Sequence, residues 1–223
     1  MKKILEKIDD YKYIVIVIKD SSFIGHLASA NALYTYFLQL HKKVSLYSEF
    51  NEYALNLQFL PWIGKLKTSY PASADVKIDA ISSIDLWDYF QKNEIKLNAK
   101  MTTSLYAGLL YETDGFKKNI SDAKVFLMAQ NLLESGADVE LCTKNILEFQ
   151  SLCSLRLKGI LLTKMVLKEN ATLAEFDLND EDLRMSGAKI EDVSIVIKEA
   201  LSLATVKKVI IKYKNKIIRS ECE

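Results

Sequence analysis

The chain has 223 residues, with 30 lysines and arginines against 29 aspartates and glutamates, for a formal net charge of +1. That balance excludes both a general basic field for gripping a nucleic-acid backbone and an acidic tail, and a 49% hydrophobic, 26% charged composition is globular. Seven glycines, two prolines and two histidines leave few residues for phosphate-cradling loops or for imidazole ligation of a metal.

After a mixed-charge start, residues 13–18 (YIVIVI) form a short β-branched run without alternation, which predicts a strand buried on both faces, as in a parallel sheet. DSSFIGH follows as a turn-like segment. From Leu27 to Leu40 the apolar positions Leu27, Ala30, Leu33, Tyr34, Phe37 and Leu38 keep the spacing of one helix face. His41, Lys42 and Lys43 close that helix, where cations suit the macrodipole. VSLYSEF is a second short strand. Strand, loop, helix and strand make a βαβ opening and place the chain in the α/β class. In such a sheet ligands bind beyond the carboxyl ends of the strands, so residues 19–26 line the expected crevice.

Asn51 to Leu60 reads as a helix stopped by Pro61, and residues 70–79 as a loop leading to a third strand that ends near Asp79. Residues 85–92 and 99–111 read as helical or mixed. Ser121 to Glu134 is a helix with Gly136 as its stop. Val139 to Glu169 reads as one long helical stretch, with a break near Gly159, that serves as a spine. A polar turn and a short helix start follow in FDLNDEDLRMSGA, then an amphipathic helix from Glu191 to Ala204 and a hairpin over residues 206–219. The expected organisation is an α/β domain over 1–138, a helical connector over 139–169 and a small, partial α/β C-terminal domain over 170–223.

Cys142, Cys153 and Cys222 are odd in number and lack CxxC spacing, against both a disulfide framework and a cysteine zinc site. The apolar run at Ile14–Ile18 is too short for a signal h-region, and no stretch nears the roughly 20 apolar residues of a membrane span. The expectation is a cytoplasmic protein without a membrane partner.

Residues 102–119, TTSLYAGLLYETDGFKKN, resemble the fourth motif of the DHH-family phosphoesterases, which commonly reads A-T-x-L-Y-x-G-I-x-x-D-T-G-x-F. FLMAQNLLESGAD (126–138) resembles the helix and turn that follow it. RMSGAKIEDV (184–193) and IIRS (217–220) resemble pieces of the DHH-associated C-terminal domain, and LASANAL (27–33) matches the helix after the first motif. The pieces are colinear, cover most of the chain and are most similar to nanoRNA exonucleases and 3′-phosphoadenosine phosphate phosphatases.

The resemblance implies a DHH-like parallel-sheet domain and a two-metal site, commonly manganese, in which carboxylates and an imidazole hold the cations that activate water and stabilise charge on phosphorus. The first motif, usually H-x-N-P-D-x-D, reads Lys19-Asp20-Ser21-Ser22-Phe23-Ile24-Gly25 here. Lys19 stands at the histidine position, and Phe23 and Gly25 stand at the two aspartate positions. A charged ammonium has no lone pair and repels a cation, and a phenyl ring cannot ligate one. Asp79 matches either the lone aspartate of the second motif or the aspartate of the Asp-His-His motif, with Ala80 and Ile81 in place of the histidines; both alignments stand. In the fourth motif Glu112 takes the aspartate position, with the order Thr113-Asp114-Gly115 after it. The glycine-rich substrate segment of the C-terminal domain is expected after the last strand pair, where the sequence stops at Glu223.

The candidate site is therefore a vestigial one of Lys19, Asp20, His26, Asp79, Glu112 and Asp114. Asp20, Asp79, Glu112 and Asp114 read as a vestigial carboxylate cluster, with Asp20, Asp79 and Glu112 the ligands of any Mg²⁺ or Mn²⁺, or as plain strand-end and turn carboxylates, and no cofactor is expected. Lys19 would bind a ligand phosphate or plug the site by pairing with Asp79 or Glu112. His26 reads as a ligand or as a helix-start polar residue. The lysines between Lys207 and Arg219, with Tyr213 among them, read as an RNA contact or as the charged face of an exposed hairpin. The preferred expectation is a catalytically degenerate relative that binds a nucleotide, a short RNA or a protein. The alternatives are a manganese-dependent phosphoesterase with a rearranged site, and a structural homodimer with residues 139–169 as its interface.

Overall fold

A computed structural model describes residues 7–19, 23–49, 55–118, 122–214 and 216–221. The chain divides into two compact units, residues 1–149 and 150–223.

The first unit is built on a four-stranded parallel sheet in the order β3-β2-β1-β4, with β1 at Tyr13–Val17, β2 at Lys43–Tyr47, β3 at Leu66–Lys67 and β4 at Val76–Asp79. Ile14, Val15 and Ile16 are wholly buried, as expected for a strand with both faces covered. Asp75 pins the start of the β1–β4 pair. Its Oδ2 accepts from the backbone N–H groups of Lys12 and Tyr13, both at 2.8 Å. Those two bonds hold its carboxyl below the ordinary carboxylate range.

Helix α1 (Phe23–Gln39) connects β1 to β2. It is not the one-faced helix that the apolar spacing predicts. Ala28, Ser29, Asn31, Ala32 and Thr35 are buried along with the apolar positions, whereas Leu38 is exposed. The physical reason is that α1 is the central helix of its unit and packs against both the sheet and α3 (Ala99–Glu112). Its buried polar groups are satisfied. Asn31 Nδ2 donates to the Leu27 carbonyl at 2.8 Å and Asn31 Oδ1 accepts from the Trp62 N–H at 2.7 Å, while Thr35 Oγ1 accepts from Trp62 Nε1 at 2.8 Å. The helix ends before His41, which takes a left-handed φ of 55°, and Lys43 already belongs to β2.

The helix expected over Asn51–Leu60 is reduced, in its described part, to a 3-10 turn at Leu55–Leu57; Asn51 to Ala54 lie outside the described residues. Helix α2 (Ser83–Lys92) starts on Ser82, whose Oγ accepts from the Asp85 N–H at 3.0 Å. Helix α3 starts in the same way on Asn98. Helix α4 (Lys124–Glu134) ends before Gly136, whose φ of 87° favours glycine, as the sequence predicts; Ser121 lies outside the described residues.

The 139–169 stretch is not one helix. It comprises α5 (Val139–Thr143), a π turn at Lys144–Glu148, an extended break, α6 (Leu152–Thr163) and strand β5 (Val166–Lys168). The break comes at Phe149, not Gly159, because Ser151 starts a new helix by accepting from the Ser154 N–H at 3.0 Å. Gly159 sits inside α6, where nothing lies within 4 Å of an added Cβ.

The second unit has its own sheet, in the order β5-β6-β7-β8, with β6 at Leu173–Leu178, β7 at Lys208–Tyr213 and β8 at Lys216–Glu221. Helices α7 (Asp180–Ser186) and α8 (Val193–Leu201) form the crossover between the parallel strands β6 and β7, and β7 and β8 make the predicted hairpin. Leu157, Leu161, Phe176, Val196, Val209 and Ile211 form its core. Asp182, only 3% exposed, is held by Lys164 at 2.5 Å and by the N-terminal capping box of α7. Cys142 is buried in the first unit, which pushes its thiol up to about 12, and Cys153 is half-buried in the second; Cys222 lies outside the described residues. No helix among the described residues is long and apolar enough to cross a membrane.

Candidate functional site

The sheet order reverses at β1. The chain steps from β1 through α1 to β2 and β3 on one side, then returns to β4 on the other. The carboxyl ends of β1 and β4 therefore flank the topological switch point, where an open α/β sheet forms its crevice. Lys19 lies two residues beyond β1 and Asp79 closes β4.

The two side chains meet there. Lys19 Nζ donates to Asp79 Oδ2 at 2.6 Å, and both remain substantially exposed, at 65% and 48%. Such an exposed pair contributes little to stability, but it sets the local charge. An ammonium lies against the carboxylate that the sequence nominated for a metal.

Glu112 ends α3 and is turned to the start of α2. Its Oε1 accepts from the Ser83 backbone N–H at 2.7 Å, so it serves as an anionic cap on that helix. A Cβ added to Gly25 would lie 3.1 Å from Glu112 Oε1, so the glycine lets α1 start close against this carboxylate. Burial pushes the Glu112 carboxyl above the ordinary range, opposed by the Ser83 and Ile84 N–H groups that favour its charged form.

A group raised in this way adds stability that is complete below the unfolded value, near 4.5, and lost as pH rises through the folded value. Glu112→Gln is therefore expected to remove this decline. Denaturant unfolding at a series of pH values should show the variant gaining on the parent as pH rises from about 4.5. Parallel curves would show that Glu112 titrates alike in both states.

His26 lies in the first turn of α1, where burial lowers its imidazole below the ordinary histidine range. Asp114 opens a run of three left-handed residues after α3, Asp114, Gly115 and Phe116, with φ of 47°, 67° and 64°. Thr113 braces that turn, since its Oγ1 donates to the Leu109 carbonyl at 2.7 Å and accepts from the Phe116 N–H at 3.1 Å. Asp20 lies outside the described residues.

Among the described residues, no three of His, Cys, Asp or Glu come together as a metal ion would need. The described residues do not fit the two-metal centre that the resemblance implies. Lys19 brings a positive charge to Asp79, and Glu112 is committed to the α2 amides.

In the C-terminal hairpin, Lys212 pairs with Glu175 at 2.8 Å and Lys214 with Asp180 at 3.0 Å, while Tyr213 donates its hydroxyl to Asp180. These contacts place two of its lysines on carboxylates of the same unit.

Sequence reasoning did not single out a shallow cleft of about 450 Å³ lined by Thr35, Leu38, Gln39, Trp62, Asn98, Ala99 and Lys100, with Lys100 Nζ 4.7 Å from the centre of the Trp62 indole. Its wall comes from three separated segments, and no local pattern announces it.

The sequence matches no family model and no curated protein. Among solved structures, an exopolyphosphatase-related protein from Bacteroides fragilis superposes with a TM-score of 0.80 at 16% identity, over 100% of this chain and 83% of that one. The two share a fold. A protein from Methanococcus jannaschii, assigned by inference as a family II inorganic pyrophosphatase, aligns over 94% of this chain and 88% of its own at 13% identity, with a TM-score of 0.36. The likeness to the Bacteroides fragilis protein bears out the α/β class of fold expected from the sequence.

Proposed function

We propose that this chain is a DHH-phosphoesterase-like binding module without metal-dependent hydrolysis, which takes the phosphate of a nucleotide or short RNA at the crevice over β1 and β4. The observation that carries this reading is the Lys19–Asp79 ion pair at the switch point. An ammonium there neutralises the carboxylate and offers donors to an anion, the two services that divalent cations provide in a phosphoesterase. Its exposure leaves it free to exchange Asp79 for a ligand phosphate.

The test uses short RNA and 3′-phosphoadenosine phosphate as probes, with and without manganese. The expected result is no manganese-dependent release of mononucleotide or phosphate, together with binding that Lys19→Met weakens about tenfold, the scale of one charge-assisted hydrogen bond. Manganese-dependent release that Asp79→Ala abolishes would instead establish a rearranged enzyme built on Asp20, His26, Asp79 and Glu112, and would refute the binding-module reading.

A further inference from the structure

The outward face of α4 carries Phe126, Leu127 and Leu133, which are 52%, 51% and 47% exposed, with Gln130 and Glu134 beside them. The opposite face buries Val125, Met128 and Leu132 in the core. A helix that needs only its inner face for folding gains nothing from three large apolar groups in water.

The patch extends beyond the helix. Phe126 stacks on Phe116 with ring centres 5.6 Å apart and planes 18° apart. Phe116 is held at a φ of 64°, a conformation unfavourable to a phenylalanine. Next to it, Leu147, 42% exposed, lies 3.1 Å from where a Cβ on Gly115 would be. The strained turn thus sets an aromatic ridge alongside the exposed helix face. The apolar surface is on the order of a few hundred Å², the size of the largest apolar patch on a typical monomer, which is often functional.

We infer that this face docks on a second copy of the chain, with the two α4 helices antiparallel about a two-fold axis near Gln130. The charge pattern selects this occupant. Before the helix exposed Lys117 and Lys118 outnumber exposed Asp122, whereas exposed Glu134, Asp138 and Glu140 lie at and beyond its end. A two-fold brings the basic end of each copy onto the acidic end of the other and opposes the two macrodipoles. In that register Leu127 of one copy meets Leu133 of the other, and Gln130 meets its counterpart. The interface is below the standard size, as in weak or transient association. It centres on α4, takes only Glu140 and Leu147 from residues 139–169, and does not depend on the switch-point crevice.

Sedimentation of the full chain from low to high micromolar concentration tests the inference. The expected result is a concentration-dependent monomer–dimer equilibrium, with Leu127→Lys and Leu133→Glu each weakening self-association by about tenfold or more while thermal melts stay cooperative. Mixing these two variants is expected to yield a heterodimer, because one Lys–Glu pair and one Leu–Leu pair then form. A monomer throughout the range, a dimer that both variants leave intact, or an equimolar mixture that stays monomeric overturns the assignment. Retention of an unrelated protein on this face by a strictly monomeric chain also overturns it.

Discussion

Gly108→Ala is expected to destabilise the chain by about 1–3 kcal/mol, the cost of forcing a methyl group into a packed core. Gly108 lies inside α3, where alanine would ordinarily gain about 1 kcal/mol in helix propensity. Here a Cβ would lie 1.8 Å from Ser83 Oγ, 2.7 Å from Ser83 Cβ and 3.2 Å from Ala28 Cβ. The first contact could be relieved by rotating the serine hydroxyl, but the second could not, because Ser83 Cβ is fixed by the backbone at the start of α2. Ser83 is itself fully buried and its N–H is held by Glu112. Ser83→Gly should therefore restore much of the stability lost in Gly108→Ala, whereas Ser83→Ala should restore less. Urea midpoints for the two singles and the double give the coupling. Additive losses would refute the contact as the cause. The same crossing gives a physical reason for the glycine in the Leu-Tyr-Ala-Gly segment that resembles the DHH fourth motif.

Asn31→Leu is expected to cost about 2 kcal/mol and to loosen Trp62. Leucine keeps the branching and heavy-atom count of asparagine but is bulkier, so no cavity accounts for the loss and some overpacking adds to it. The substitution removes the acceptor of the Trp62 N–H, and a buried donor left without a partner costs about 1–3 kcal/mol. Asn31 is wholly buried; its Nδ2 donates to Leu27 within α1, while its Oδ1 ties the helix to the Trp62 segment 31 residues away. Trp62 also packs against Tyr34, with ring centres 5.0 Å apart and planes tilted by 32°. The expected readouts are a lower denaturant midpoint and increased acrylamide quenching of tryptophan fluorescence, because Trp87, the other indole, is only 3% exposed. A variant with unchanged midpoint and quenching would show that the bond is not a structural tie. Asn31→Asp is expected to be worse than Asn31→Leu, since it buries a charge beside the Leu27 carbonyl that the amide now serves.

Much of the local structure was legible in the residues. YIVIVI reads as a doubly buried strand because its β-branched side chains suit a pleat covered on both faces, and Gly136 reads as a helix stop because few other residues take its φ of 87°. The hairpin was legible because apolar and charged residues alternate on both sides of a short turn. The long helix over 139–169 failed because apolar density over that span hid Ser151, a capping serine that starts α6 by itself. The one-faced reading of α1 failed for another reason. Its small polar residues look exposed by type, yet they are buried where α3 and the Trp62 segment supply partners.

Local chemistry in the chain determined the class of fold and most helix and strand positions. These follow from backbone sterics and from side-chain periodicity, both of which act over a few residues. Only the tertiary structure decided what the charged groups do. The sheet order brings Lys19 onto Asp79, 60 residues away, and the crossing of α3 with the start of α2 turns Glu112 onto the Ser83 amide. A carboxylate's role as ligand, ion-pair partner or helix cap depends on which donor lies within about 3 Å, and distant parts of the chain set that distance.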